Sequence, residues 1–161
     1  MANYTGANVI TTSDVLKYQP DAFDFGISTT ATETLNFLAQ TTNDILRQLR
    51  VEWWPVYKTN IFTDITVLNT AEMVNTKVNL DQFERAGVYL FLGRFYLPAL
   101  TKFRPETEKD RFERMAEYYM SQYNIEWRMI LEDGVEYDVD SSGTIVANER
   151  EPLHGFRRLT R

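Results

Sequence analysis

The stretch PETEKDRFERMAEYYMSQYNIEWRMILED, from Pro105 to Asp133, constrains this chain more than any other. Phe112, Met115, Tyr119, Tyr123, Trp127 and Ile130 recur at three- and four-residue steps with charged residues between them. A helix places that spacing on one face, and so long an apolar stripe must be covered by other parts of the chain. Pro105 suits the first turn, Glu106 and Glu108 complement the positive end of the helix, and Gly134 stops it. The stripe therefore reads as core, and the remaining sequence must supply its packing partners.

Three further segments offer them. A short helix is expected at TTSDVLKY, with Thr12 or Ser13 as cap and Pro20 as the stop. DAFDFGIS follows as a packed loop. A long helix is expected from Thr30 to Glu52, where Leu35, Leu38, Thr42, Ile45, Leu49 and Trp53 keep helical spacing until Pro55 ends it. Residues 56–78 show no clean period and read as irregular, with one short helical or strand piece. From Asn79 to Phe103 the signal returns, with Leu80, Phe83, Gly87, Leu90, Arg94 and Leu97 on one side and apolar residues on the others. That all-round character marks a central buried helix. Its most apolar run, Val88–Leu100, is too short for a membrane span and contains Arg94 and Pro98. The fold class is mainly α: a small helical bundle (1–133), a C-terminal β-hairpin-like arm (134–151) and an extended basic tail (152–161).

Composition narrows the chemistry. With 161 residues the chain suffices for one well-buried core. It has no cysteine, which excludes disulfides, thiolate zinc sites and a cysteine nucleophile, and His154 is its sole histidine, which excludes paired-histidine metal sites. No phosphate loop or nucleophile elbow is present, so no enzymatic activity is expected. The net charge of −6 is unevenly spread: Arg150, Arg157, Arg158 and Arg161 against Glu151 give the last twelve residues +3, leaving −9 for residues 1–149. An acidic body disfavours general nucleic-acid binding, and a basic tail suits docking. Ten Phe, nine Tyr and three Trp exceed what one small interior needs. A fold of this size cannot bury all of Phe91, Phe95, Tyr96, Tyr118 and Tyr119, so these are the candidate interface residues, and some of them are expected to meet a neighbour. The N-terminus shows neither the basic nor the apolar part of a signal peptide.

DVDSSGTIVANE, from Asp138 to Glu149, matches the spacing of a twelve-residue calcium loop. Asp138, Asp140, Ser142, the Thr144 carbonyl and Glu149 are the candidate oxygen ligands, and Gly143 takes the turn position. VEY before it alternates like a strand, and Pro152 leaves no room for a following helix. The favoured expectation is a hairpin in which Val135, Tyr137, Val139, Ile145 and Ala147 alternate around Ser141-Ser142-Gly143, with no cofactor. Weak calcium binding is the alternative, and with it a small calcium-binding interaction module.

Taken together, the TTSDVLKY opening, the helix ATETLNFLAQTTNDILRQLR, the long final helix, the segment from Tyr137 to Glu149 and the closing Arg158-Leu159-Thr160-Arg161 resemble the head-to-tail adaptor (connector, or head completion) proteins of tailed bacteriophages. The resemblance covers most of the chain except residues 56–78. It implies a virion neck protein, assembled in the host cytoplasm: a homo-oligomeric ring, usually of twelve subunits, below the portal protein and above the next neck or tail protein. DNA passes through such a ring without specific binding, and no membrane is involved. The C-terminal arm is implied to reach the portal, with Leu153, Phe156, Arg157, Arg158, Leu159 and Arg161 as the docking tail.

Overall fold

A computed structural model describes residues 8–62, 64–101, 110–145 and 149–151. The expected first turn at Pro105, Glu106 and Glu108, Ala147 of the expected hairpin, His154 and the whole docking tail (Leu153, Phe156, Arg157, Arg158, Leu159, Arg161) lie outside these residues. Among the described residues the chain is mainly helical, and no helix is long and apolar enough to cross a membrane.

Capping decides where α1 (Thr12–Tyr18) begins. The Thr11 hydroxyl accepts the Asp14 N–H, while the Asp14 carboxylate accepts the Thr11 N–H at 2.8 Å. The cap is thus Thr11 rather than Thr12 or Ser13, because only Thr11 has an acidic residue three positions on to complete the capping box. Burial pushes the Asp14 carboxyl up, but bonds from Lys17 and Thr11 outweigh it and hold the group below its ordinary value. DAFDFGIS is a 3-10 turn over Ala22–Phe25 closed by Gly26, with Ala22 buried.

Helix α2 (Thr32–Gln48) buries Leu38, Thr42 and Ile45 as expected, but Leu35 is 54% exposed. Thr34 and Thr41 face inward instead. Their hydroxyls donate to the carbonyls of Ser28 and Phe37, both at 2.8 Å, and a threonine so satisfied can be buried at little cost.

The chain does not leave the helix at Pro55. Residues Leu49–Trp53 form a widened π turn, in which the Trp54 N–H bonds to the Leu49 carbonyl, and α3 (Trp54–Ile61) continues beyond. A proline ring crowds the carbonyl four residues back, here Val51, and the wide turn moves that carbonyl out of the way. The same arrangement recurs at Pro98. Helix α5 (Glu84–Leu90) passes into a π segment over Phe91–Tyr96, where the Leu97 N–H reaches the Leu92 carbonyl before α6 (Leu97–Leu100). Arg94, four residues before Pro98, again sits inside the widened stretch.

Residues 56–78, expected to be irregular with one short piece, are more helical than that. They hold most of α3, then α4 (Ile65–Thr70), and a 3-10 turn over Asn75–Lys77. Asp64 caps α4 by accepting the Thr66 N–H at 2.8 Å. Helix α4 buries none of its residues, so it carries no burial period that a sequence could display. Helix α7 (Arg111–Asp133) ends where expected, with Gly134 at φ 98° and its N–H on the Ile130 carbonyl at 3.0 Å.

The chain forms two compact units, one from Asn8–Ile45 and Phe83–Trp127, the other from Leu46–Gln82 and the chain from Arg128 onward. The first is built on close backbone approach. A Cβ on Gly93 would lie 2.9 Å from the Met120 backbone nitrogen, and one on Gly87 would lie 2.8 Å from the Ile10 Cγ2. Phe83, Phe91, Tyr96, Tyr119, Tyr123 and Trp127 fill its interior. In the second unit Leu49, Trp53, Trp54, Tyr57, Val78, Leu80, Val135 and Tyr137 are buried together with Ile130 and Leu131 of α7.

Gly93→Ala should lower the urea midpoint, by about 1–3 kcal/mol of stability, because the obstructing atom is backbone. Gly87→Ala should also lower it, since the Ile10 and Val9 γ-methyls it would meet belong to buried, branched side chains, although alanine recovers up to about 1 kcal/mol of helix propensity. A Gly93→Ala variant as stable as the unaltered protein in matched urea titrations would contradict the close approach to Met120.

Candidate functional site

The segment after α7 is held on both edges. Strand β1 (Val135–Glu136) pairs antiparallel with β2 (Arg150–Glu151), Val135 opposite Glu151 and Glu136 opposite Arg150. On the other edge, residues 77–79 bond to the same segment: the Asp138 N–H donates to the Lys77 carbonyl at 2.9 Å and the Asn79 N–H donates to the Glu136 carbonyl at 3.0 Å. Lys77 Nζ donates to the Val139 carbonyl, and Asn79 Nδ2 donates to Glu136 Oε2 at 2.6 Å. The strands therefore pair at 135–136 with 150–151. They do not close tightly on Ser141-Ser142-Gly143 with Ile145 across from Val139, because the Tyr137 N–H is already donated to the Glu149 carbonyl at 3.1 Å.

Tyr137 fixes the root of this arm. Its ring lies 5.7, 5.3 and 5.6 Å from those of Trp53, Trp54 and Tyr57, and its hydroxyl accepts the Val74 N–H at 3.1 Å. Burial pushes the Tyr137 hydroxyl pKa above its ordinary value, while the Val74 bond opposes that rise. The root of the arm is packed, with Val135 fully buried and Tyr137 nearly so.

Beyond the root, the loop closes on its own amides. Asp138 Oδ1 accepts the Ser142 N–H at 3.0 Å and Oδ2 accepts the Gly143 N–H at 2.8 Å. Asp140 Oδ1 accepts the Ser142 N–H at 2.9 Å, and Glu149 Oε1 accepts the Val139 N–H at 2.8 Å. Asp138 and Glu149 are only 5% and 4% exposed, and charges so buried require these donors. The Ser142 hydroxyl donates to the Thr144 carbonyl at 3.1 Å. At the tip, Gly143 has φ 76°, and nothing lies within 4 Å of where a Cβ would stand. Glycine is required there by the left-handed backbone rather than by crowding.

One carboxylate oxygen from each of Asp138, Asp140 and Glu149 lies within 4.8 Å of the others. Hard oxygen donors at that separation suit calcium in chemistry, although calcium takes about six to eight oxygens and these side chains supply fewer. Ser142 and Thr144 lie in the same loop, with the Thr144 carbonyl already accepting the Ser142 hydroxyl.

The aromatic residues expected at a subunit interface divide. Phe91, Tyr96 and Tyr119 are interior: Phe91 stacks on Tyr96, the Tyr96 hydroxyl donates to the Ile27 carbonyl at 2.9 Å, and the Tyr119 hydroxyl donates to Gln19 Oε1 at 2.7 Å. The π segment places Phe91 and Tyr96 inward together, and Tyr119 lies on the buried stripe of α7, so three of the five serve the interior. Phe95 is half-buried and stacks on Phe37. Tyr118 is 59% exposed. Residues 74–79, which hold the arm, were missed by sequence reasoning, since their contribution is made by backbone groups and by the polar ends of Lys77 and Asn79 across a long sequence separation, which leaves no hydrophobic period. No protein-family model, curated protein or solved structure matches the chain.

Tyr137→Phe should destabilise the protein by about 1–2 kcal/mol, because the Val74 N–H loses its acceptor. Tyr137→Ala should cost about 3–5 kcal/mol by emptying the aromatic cluster. Chemical denaturation of both variants checks the order. Bonds from Ser142 hold the exposed Asp140 carboxyl below its ordinary 3.8. Its contribution to loop order should be fully present above that value and be lost as pH falls through the lower folded value. An NMR titration should show the Ser142 amide signal moving in that acid range, and movement centred above 3.8 would contradict the bond.

Proposed function

We propose that this chain is a structural subunit of a phage head-to-tail connector. It forms a ring of identical copies, twelve by resemblance to that family, between the portal vertex and the next neck or tail component, and leaves a channel through which DNA passes without specific binding. It has no catalytic role in this reading. The observation that carries it is the fixed root of the arm. Strand β2 ends opposite the fully buried Val135, so the tail from residue 152 onward departs from a hydrogen-bonded base rather than from a free end. A short segment that combines Leu153, Phe156 and Leu159 with Arg157, Arg158 and Arg161 gains most from such a base, because an anchored end reduces the ordering cost of binding. Acidic groups on the portal are the natural partners of those arginines. Of the aromatic residues assigned to lateral contacts, Tyr118 and Phe95 remain, since Phe91, Tyr96 and Tyr119 serve the interior.

A second reading, a calcium-binding interaction module, draws on the proximity of the Asp138, Asp140 and Glu149 carboxylates. Calorimetry with calcium separates the two: Asp140→Asn should abolish any heat that comes from the loop, whereas Gly143→Val should harm assembly more than Asp140→Asn if the loop serves only as a structural arm.

Deleting residues 152–161 should leave a folded, soluble protein that no longer binds portal-bearing heads in co-sedimentation. Phe156→Asp with Leu159→Asp should do the same with the full chain length retained. Binding at the level of the unaltered protein by either variant would overturn the docking role. Native mass spectrometry that finds no ring even with portal present would overturn the connector reading itself.

A further inference from the structure

The outward face of α7 carries a pattern that neither portal docking nor the interior uses. Tyr118, Ile125 and Met129 are 59%, 51% and 50% exposed. Steps of seven and four residues keep them in one narrow sector of the helix. Helix α7 runs unbroken from Arg111 to Asp133, so helical geometry alone fixes this sector. Arg114 lies in it before Tyr118, and Glu132 lies in it after Met129, with Asp133 at one margin and Arg128 at the other; all four are exposed. The stripe therefore reads basic, apolar, acidic along the helix.

Its acidic end runs against the helix itself. The last turn holds Glu132 and Asp133 and no basic residue, where the negative end of the helix dipole favours cations. Among the described residues, no side chain pairs with Glu132, Asp133 or Arg114. A cation supplied from outside the subunit would relieve both the dipole and the unpaired charges.

We propose that a second copy of this chain packs on this face with its α7 antiparallel, related by a two-fold axis between Gln122 and Ile125. Tyr118 then meets Met129 of the other copy, Gln122 meets Ile125, and Arg114 meets Glu132 and Asp133, each contact made twice. A parallel arrangement places Arg114 on Arg114 and Glu132 on Glu132, and is repelled at both ends. The stripe is self-complementary in one direction only, which is what a two-fold contact requires. Such a contact closes on two copies and cannot propagate around a ring. It is a state of the free protein, independent of the connector reading, and competes with any lateral contact that uses Tyr118. Three half-exposed side chains make a patch smaller than a stable interface of standard size, so the pairing is a reversible equilibrium.

Sedimentation equilibrium on the full chain, without portal, tests this. The unaltered protein should show a concentration-dependent monomer–dimer equilibrium. Ile125→Glu should weaken dimerisation at least tenfold, and so should Arg114→Glu alone. Glu132→Arg with Asp133→Arg should have the same effect. Combining Arg114→Glu with both acidic reversals should restore dimerisation to within a few-fold of the original. Circular dichroism keeps loss of pairing distinct from unfolding at these exposed positions. A monomer at every concentration, higher oligomers unaffected by these substitutions, or charge reversals that do not restore each other would each overturn the two-fold contact. None of these outcomes depends on portal binding, so the connector reading stands or falls separately.

Discussion

The packing of Tyr137 against Trp53, Trp54 and Tyr57 is the interaction on which the C-terminal part of the structure depends. It brings together three stretches remote in sequence: the end of one helical path, the chain around Val74, and the strand after α7. Burying such large rings is worth several kcal/mol, and the Tyr137 hydroxyl accepts the Val74 N–H, which lowers the cost of burying that group. Everything beyond Tyr137 inherits its position. Asp138 can organise the Ser142 and Gly143 amides because its own backbone is already held by Lys77.

That root serves the loop in either of the two chemistries its residues allow. Ligand spacing in a calcium loop and amide bonding in a tight acidic turn use the same residue types, since a carboxylate answers either a cation or a row of N–H groups. Here Asp138 accepts two amides and Glu149 accepts a third from ten residues away. The charged groups that secure the arrangement, Asp138 and Glu149, are buried.

The helices were legible in the sequence to the degree that their burial is periodic. Helix α7 shows its stripe plainly, and Tyr119, Tyr123, Trp127 and Ile130 are all interior. In α2 the stripe was drawn through Leu35, although the buried positions are Thr34 and Thr41. Hydrophobicity cannot reveal a threonine whose hydroxyl bonds to a carbonyl nearby. Residues 56–78 gave no period because α4 buries nothing and the chain near Val74 to Asn79 contributes mainly through backbone bonds and the polar ends of Lys77 and Asn79. The β pairing was expected around the visible turn, but the register is set by long-range bonds to Lys77 and Asn79. The Asp138 loop was found from spacing alone, while its amide-bonded state follows from a root that spacing does not encode.

The widened turns before Pro55 and Pro98 change the phase of the helices that contain them. Neighbouring residues on an α-helix point about 100° apart, and a widened turn reduces that angle. At both widened turns the adjacent pair at the exit goes inward together: Trp53 with Trp54, Tyr96 with Leu97. Each is a seam at which the helix restarts its count without leaving its path. A one-residue insertion or deletion placed at a seam can be absorbed by widening or tightening the turn, whereas the same change within α7 would swing half of its aromatic stripe into water. The length of this chain is thus free to vary at two points inside continuous helical paths, as well as in its loops.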